Sequence, residues 1–113
     1  MTEFIVKDSG VRQNYPSGMN RDTQENKPDY TLIERGFLTR VAMHLVKGAI
    51  KYGRNNWQKA NSVEEMERFQ SSAMRHLVQW LDGEVDEDHM AAVVFNLMAC
   101  EWVKAKLVKN EQV

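Results

Sequence analysis

From Met90 to Cys100 the only polar side chain is Asn96. A stretch of that length with no alternation of polar and apolar positions reads as a helix covered on nearly all sides. It is too short for a membrane span, which needs about 20 apolar residues. Whatever fold forms must wrap this helix. A chain of 113 residues makes one domain of ordinary size, and one such domain has little other material with which to wrap it. The sequence therefore predicts that a second copy completes the bundle, as a homodimer or higher symmetric oligomer.

The third helix is expected to open at about Asp86 and run to about Val108. Asp86, Glu87 and Asp88 fall in its first turn, where the helix dipole favours negative charge, so capping alone accounts for them. The second helix begins at Ser62, whose spacing to Glu65 is that of a capping box. Met66, Phe69, Ala73, Leu77 and Trp80 form its apolar stripe. His76 points inward with them, and Arg75 flanks that face. Glu64, Glu67, Arg68, Ser71, Gln79 and Asp82 fill the outer face, and Gly83 ends the helix. The first helix is placed from Thr31, which has the same capping spacing to Glu34, to a stop at Gly53. Its apolar stripe is Leu38, Val41, Ala42, Leu45, Ala49 and Tyr52. Beside this runs a second stripe of Arg40, His44, Lys47, Gly48 and Lys51, which is either a solvated face or an anion-binding one. A glycine inside a helix costs roughly 1 kcal/mol, so Gly48 implies a packing or close-approach reason.

Residues 1–30 read as an irregular N-terminal arm, punctuated by Gly10, Pro16, Gly18 and Pro28 and too polar to bury much surface. Phe4, Ile5 and Val6 are expected to dock on the body or make a short strand. Residues 31–108 form the body and 109–113 a fraying tail. The fold class is all-α: three main helices plus the arm, completed by oligomerisation.

Composition excludes several classes. Fifteen basic and sixteen acidic residues leave a net charge of -1, so no global field favours a nucleic-acid polymer. The single cysteine, Cys100, excludes an internal disulfide. The N-terminal residues show no signal-peptide core. With no membrane span, the expected location is the cytoplasm.

The chemistry concentrates between Met74 and Asn96. Glu84, Asp86, Glu87 and Asp88 crowd the junction of the second and third helices. Clustered carboxylates suit a hard divalent cation, Mg²⁺ with Mn²⁺ as substitute. Lys47, Lys51, Arg54 and Arg75 beside them suit a phosphate ester or polyphosphate. His76, His89 and Asn96 are inward polar groups that need partners. In the loop 54–61, Asn56 and Trp57 either read a base or plug the edge of the core. No His/Cys set has zinc spacing. No phosphate-binding glycine loop, nucleophile elbow or catalytic triad appears. The acids therefore point to metal-assisted hydrolysis and not to covalent catalysis.

The segments SGMNRDTQENKP, LTRVAMHLVKGAIKYGRNNWQKA, MERFQSSAMRHLVQWLDGEVDEDH and AAVVFNLMACEW resemble, in this order, the phage-type dATP/dGTP diphosphohydrolase family. That family is related to the MazG-like all-α nucleoside triphosphate pyrophosphatases. The resemblance implies Mg²⁺-dependent hydrolysis of a purine deoxynucleoside triphosphate to the monophosphate and pyrophosphate. It also implies adjustment of the nucleotide pool in a phage-infected or bacterial cell. The matching positions are Lys51, Tyr52, Asn56 and Trp57, then Arg75, His76, Glu84, Asp86, Asp88, His89 and Asn96. Carried over, Glu84 and Asp88 act as metal ligands and catalytic groups, with Asp86 and Glu87 assisting. His76 or His89 orients water or sugar, Lys47, Lys51, Arg54 and Arg75 hold phosphates, and Asn56 and Trp57 face the base. The family's Gly-Lys-Pro-Arg is replaced here by Asn26-Lys27-Pro28-Asp29, which removes a positive charge. Two other readings stay open: a purine-nucleotide-binding protein without turnover, serving as sponge or sensor, and a helical oligomerisation module.

Overall fold

The computed structural model describes residues 3–111. They fall into two compact units divided between Leu32 and Ile33. The first holds a small antiparallel hairpin of β1 (Arg12–Asn14) and β2 (Asn20–Asp22), in register Arg12↔Asp22 and Asn14↔Asn20. Gly18, at φ +92°, closes the turn, a backbone angle that side chains rarely adopt. Asp22 gathers the unit by accepting from the Ser9 amide at 3.1 Å and from Lys27 at 3.1 Å. The Arg12 guanidinium holds the Asp8 carboxyl well below the usual range. The arm is thus less irregular than its composition implies, because one carboxylate supplies what a core would. Phe4, Ile5 and Val6 make no strand and are exposed.

The second unit is helical: α1 (Arg35–Tyr52), α2 (Val63–Leu81) and α3 (His89–Glu111), with a short 3₁₀ turn at Asn56–Lys59. The second helix starts as its sequence dictates. The Glu65 amide donates to Ser62 Oγ at 3.2 Å, and Glu65 Oε1 accepts from the Asn61 amide at 3.1 Å and the Ser62 hydroxyl at 2.7 Å. Its stop at Gly83 also holds, with φ +80°. The first helix does not start at Thr31. Thr31 instead donates to Asp29 in the 3₁₀ turn Tyr30–Leu32. Glu34 is the true cap, its carboxylate accepting from the Gly36 and Phe37 amides. A carboxylate beats a hydroxyl there because the four free amides of a first turn attract charge.

The third helix opens at His89, later than the acid-rich turn suggests. Asp88 caps it, accepting from the Ala91 amide at 3.1 Å, while Asp86 and Glu87 stay in the connecting loop. At the other end the helix continues past Val108 to Glu111. Gln112 and Val113 of the expected tail, like Met1 and Thr2 of the arm, lie outside the described residues.

α2 and α3 form an antiparallel hairpin, since Met66 meets Cys100 at one end and His76 meets His89 at the other. The buried apolar residues of these two helices are mostly small. Ala73, Ala91, Ala92, Ala99 and Val103 are buried, and alanines let two helix backbones approach closely. α1 packs against α3 with little direct contact to α2, and none of its residues is buried. Leu38 and Tyr52, placed in its apolar stripe, are largely exposed, as are Met43, Val46 and Ile50. Among the described residues, no helix is long and apolar enough to cross a membrane.

Candidate functional site

Because α1 stands off from the hairpin, a groove of about 1500 Å³ opens along it within the helical unit. One wall is the basic stripe of α1: Arg40, His44, Lys47 and Lys51, continued by Tyr52 and Arg54. The far end carries Asp86, Glu87 and Asp88, and the floor is aromatic. Trp57 meets Phe95 edge-on at 5.7 Å between ring centres and Trp102 at 5.7 Å. Phe95 also touches His44 at 5.4 Å and Phe69 at 6.2 Å. Trp57 is thus half-buried, plugging the core edge while lining the groove. The turn that carries it is held to α3 by Trp102, whose indole donates to Gln58 O at 3.3 Å. Lys106 adds a bond to Ala60 O at 3.1 Å. Gly48 faces open space: a Cβ there would meet nothing within 4 Å. No side chain packs against it, and it lines the groove, which leaves the close-approach reason open.

Arg40 and Asp88 join the basic wall to the acidic end. The guanidinium donates through Nε and NH2 to the two carboxylate oxygens, each at 2.8 Å. This fork holds the Asp88 carboxyl down at about 2, with the Ala91 amide helping. Asp88 therefore caps α3 and clamps α1 to it at once. The sequence placed Arg40 on the basic stripe, but nothing in the spacing links residues so far apart in the chain.

Behind the acidic end lies a buried pair. His76 Nδ1 and His89 Nδ1 are 2.9 Å apart, and His89 Nε2 is 2.8 Å from Asp86 Oδ1. That bond lowers the Asp86 pKa, and burial pushes the His76 imidazole below its ordinary value. Ligand atoms of His76, Glu87 and His89 all lie within 4.8 Å of one another. The absence of zinc spacing in the sequence did not foresee this, because the partners sit on two helices joined by a folded turn. Among the described residues, no three of Glu84, Asp86, Glu87 and Asp88 converge so closely. They share a smaller cleft with Lys47 and Trp80.

The other expected residues divide. Lys47, Lys51, Tyr52, Arg54, Asn56 and Trp57 come together on the groove, with Asp86, Glu87 and Asp88. Glu84 and His89 line the smaller cleft, which also holds Lys47. Arg75 is exposed on α2 and lines neither. Asn96 is buried as its position implied, and its amide donates to Ala92 O of its own helix at 2.8 Å. Gln79, assigned to the outer face, is half-buried with Oε1 unpartnered among the described residues.

Fold and groove together define a small all-α domain with opposed acidic and basic walls over an aromatic floor. Residues 17–112 match the family described as dATP/dGTP diphosphohydrolase, N-terminal, and the chain belongs to that family. No curated protein and no solved structure matches it.

Proposed function

We propose that this protein hydrolyses a purine deoxynucleoside triphosphate, dATP or dGTP, to the monophosphate and pyrophosphate, and so adjusts the nucleotide pool. The supporting observation is the groove itself: Lys47 and Lys51 of α1 and Arg54 just beyond it, which form no ion pair among the described residues, face an acidic loop across an aromatic floor, in a chain of this family. Lys47, Lys51 and Arg54 neutralise the phosphates and steer the anion inward. Tyr52, Asn56 and Trp57 hold the base. Glu84 and Glu87, which form no ion pair among the described residues, fit a hard cation. Mg²⁺ needs only one or two protein carboxylates when a substrate supplies phosphate oxygens, and Mn²⁺ serves as well. Bound there, the cation would lower the pKa of a water and offset charge at the reacting phosphorus. The water loses a proton to solvent as its oxygen bonds the α-phosphorus, the bond from that phosphorus to the bridging oxygen breaks, and the leaving pyrophosphate takes the electron pair. Asp88, fixed by Arg40, and Asp86 orient the loop, while the buried His76–His89 pair packs behind it.

Incubation of dGTP and dATP with Mg²⁺ should give pyrophosphate in one step, and Glu84→Gln should abolish it. Release of single phosphate, or full activity of that variant, overturns the reading. Binding without turnover has one observation in its favour: Asp86 and Asp88 are both already engaged by other side chains. Nucleotide recovered intact after long incubation with Mg²⁺ or Mn²⁺ would decide for it. We further propose that the protein acts as a homodimer or higher oligomer, supported by the exposed Leu38, Met43, Val46 and Ile50 of α1. Sedimentation at micromolar concentration tests this, and a monomer refutes it.

A further inference from the structure

We propose that His76, His89 and Glu87 form a binding site for one borderline divalent transition metal, of which Zn²⁺ is the type, set apart by its two imidazole donors from the Mg²⁺ site of the proposed reaction, with which it shares Glu87. Two imidazole nitrogens and one carboxylate already stand within 4.8 Å of one another. His76 is 7% exposed and His89 2%, so both rings are held by packing and not by solvent-side chance. The hydrogen bonding supplies the independent observation. Asp86 accepts from His89 Nε2 at 2.8 Å, which leaves neutral His89 a lone pair on Nδ1, aimed at His76. A carboxylate on the far nitrogen is how a metal-ligating histidine is usually oriented and made more basic.

The 2.9 Å between the two Nδ1 atoms is a hydrogen-bond distance, so one ring must donate, and with His89 protonated on Nε2 the donor is His76. Moving that proton to His76 Nε2 leaves the ring neutral and frees both Nδ1 lone pairs, which face one another across 2.9 Å. Tetrahedral ligands about 2.05 Å from zinc stand about 3.3 Å apart. The Nδ1 atoms face each other nearly in line, with the ring centres 5.2 Å apart, so admitting the ion takes a few tenths of an ångström of separation and a turn of each ring that brings both lone pairs onto one point. Glu87, exposed on the loop, closes the third position, and the fourth stays open to water or to a phosphate oxygen. Imidazole-rich sets prefer Zn²⁺, Co²⁺ or Ni²⁺, whereas Mg²⁺ prefers oxygen. Such an ion would staple the end of α2, the first residue of α3 and the loop between them.

The test uses the untagged, metal-stripped full chain titrated with Co²⁺, read by its visible absorption. One equivalent should bind with the spectrum of four- or five-coordinate Co²⁺ and raise the melting temperature. Zn²⁺ should displace it and millimolar Mg²⁺ should not. Glu87→Gln, on the exposed loop, should weaken binding at least tenfold without loss of fold. His76→Gln, checked for helicity by circular dichroism, should abolish the signal. No Co²⁺ uptake, displacement by Mg²⁺, or binding unchanged in Glu87→Gln would each overturn the proposal. None of these readouts depends on nucleotide turnover, so the site stands or falls apart from the proposed reaction.

Discussion

Replacing Asp88 should expose how one carboxylate holds two elements together. In Asp88→Ala both roles go. The lost cap of α3 costs about 1 kcal/mol. The ion pair can be bounded from the carboxyl itself. A fall from an ordinary 3.8 to about 2 corresponds to roughly 2.5 kcal/mol at most. Asp88 is 29% exposed and Arg40 52%, so solvent screening reduces this to about 1 kcal/mol. The sum is about 2 kcal/mol, or a melting point lower by roughly 8 °C in a domain of this size. Asp88→Asn keeps a good cap and loses only the charge, so it should cost about half as much. The pH dependence has a definite sign. A carboxyl with a depressed folded-state pKa contributes stability above its unfolded value and loses it as pH falls through the folded one. The gap between wild type and Asp88→Asn should thus be full above pH about 4 and close toward pH 2. Urea unfolding followed by circular dichroism reads all of this. If Asp88→Asn and Asp88→Ala cost the same, or if Arg40→Met leaves the cost of Asp88→Asn unchanged, the two-role account is wrong.

Other outcomes follow from the same structure. Gly48→Ala should raise stability by about 0.5–1 kcal/mol in urea unfolding, because the added methyl meets nothing within 4 Å; a loss would show that the groove side of α1 is closed in solution. Ala99→Leu should cost about 1–3 kcal/mol by overpacking the α2–α3 seam, where Ala99 is fully buried, and a neutral result would show that the hairpin can spread. Burial lowers the His44 pKa against the pull of Asp88 and Glu87, with Lys47 adding to the fall. Unfolding therefore takes up protons below pH about 6.5, and stability should drop between pH 7.5 and 5.5 by less in His44→Gln than in wild type. Lys51→Glu should raise the KM for a deoxynucleoside triphosphate more than it lowers kcat; an unchanged KM would remove the α1 wall from the binding site.

Sequence alone was enough where the cause is local. Ser62 and Glu65 lie within one turn of each other, so their capping could be read directly. The same holds for the stop at Gly83 and for a third helix with one polar residue between Met90 and Cys100. Inward positions for His76, His89 and Asn96 followed from helical period, and all three are buried. The resemblance carried by residues 17 to 103 anticipated the family. Local spacing misled where two local partners compete, as when Thr31 gave way to Glu34, and Asp86 and Glu87 stayed out of α3. What only the tertiary structure decided are relations between distant residues. Arg40 on Asp88, His76 against His89, and the standoff of α1 that opens the groove are set by how close two helix axes can come. That distance depends on the alanines of the α2–α3 seam, which let those two helices close together and leave α1 without a buried face. A periodic pattern says which side of a helix is apolar; it does not say which neighbour, in this chain or a second copy, will cover it.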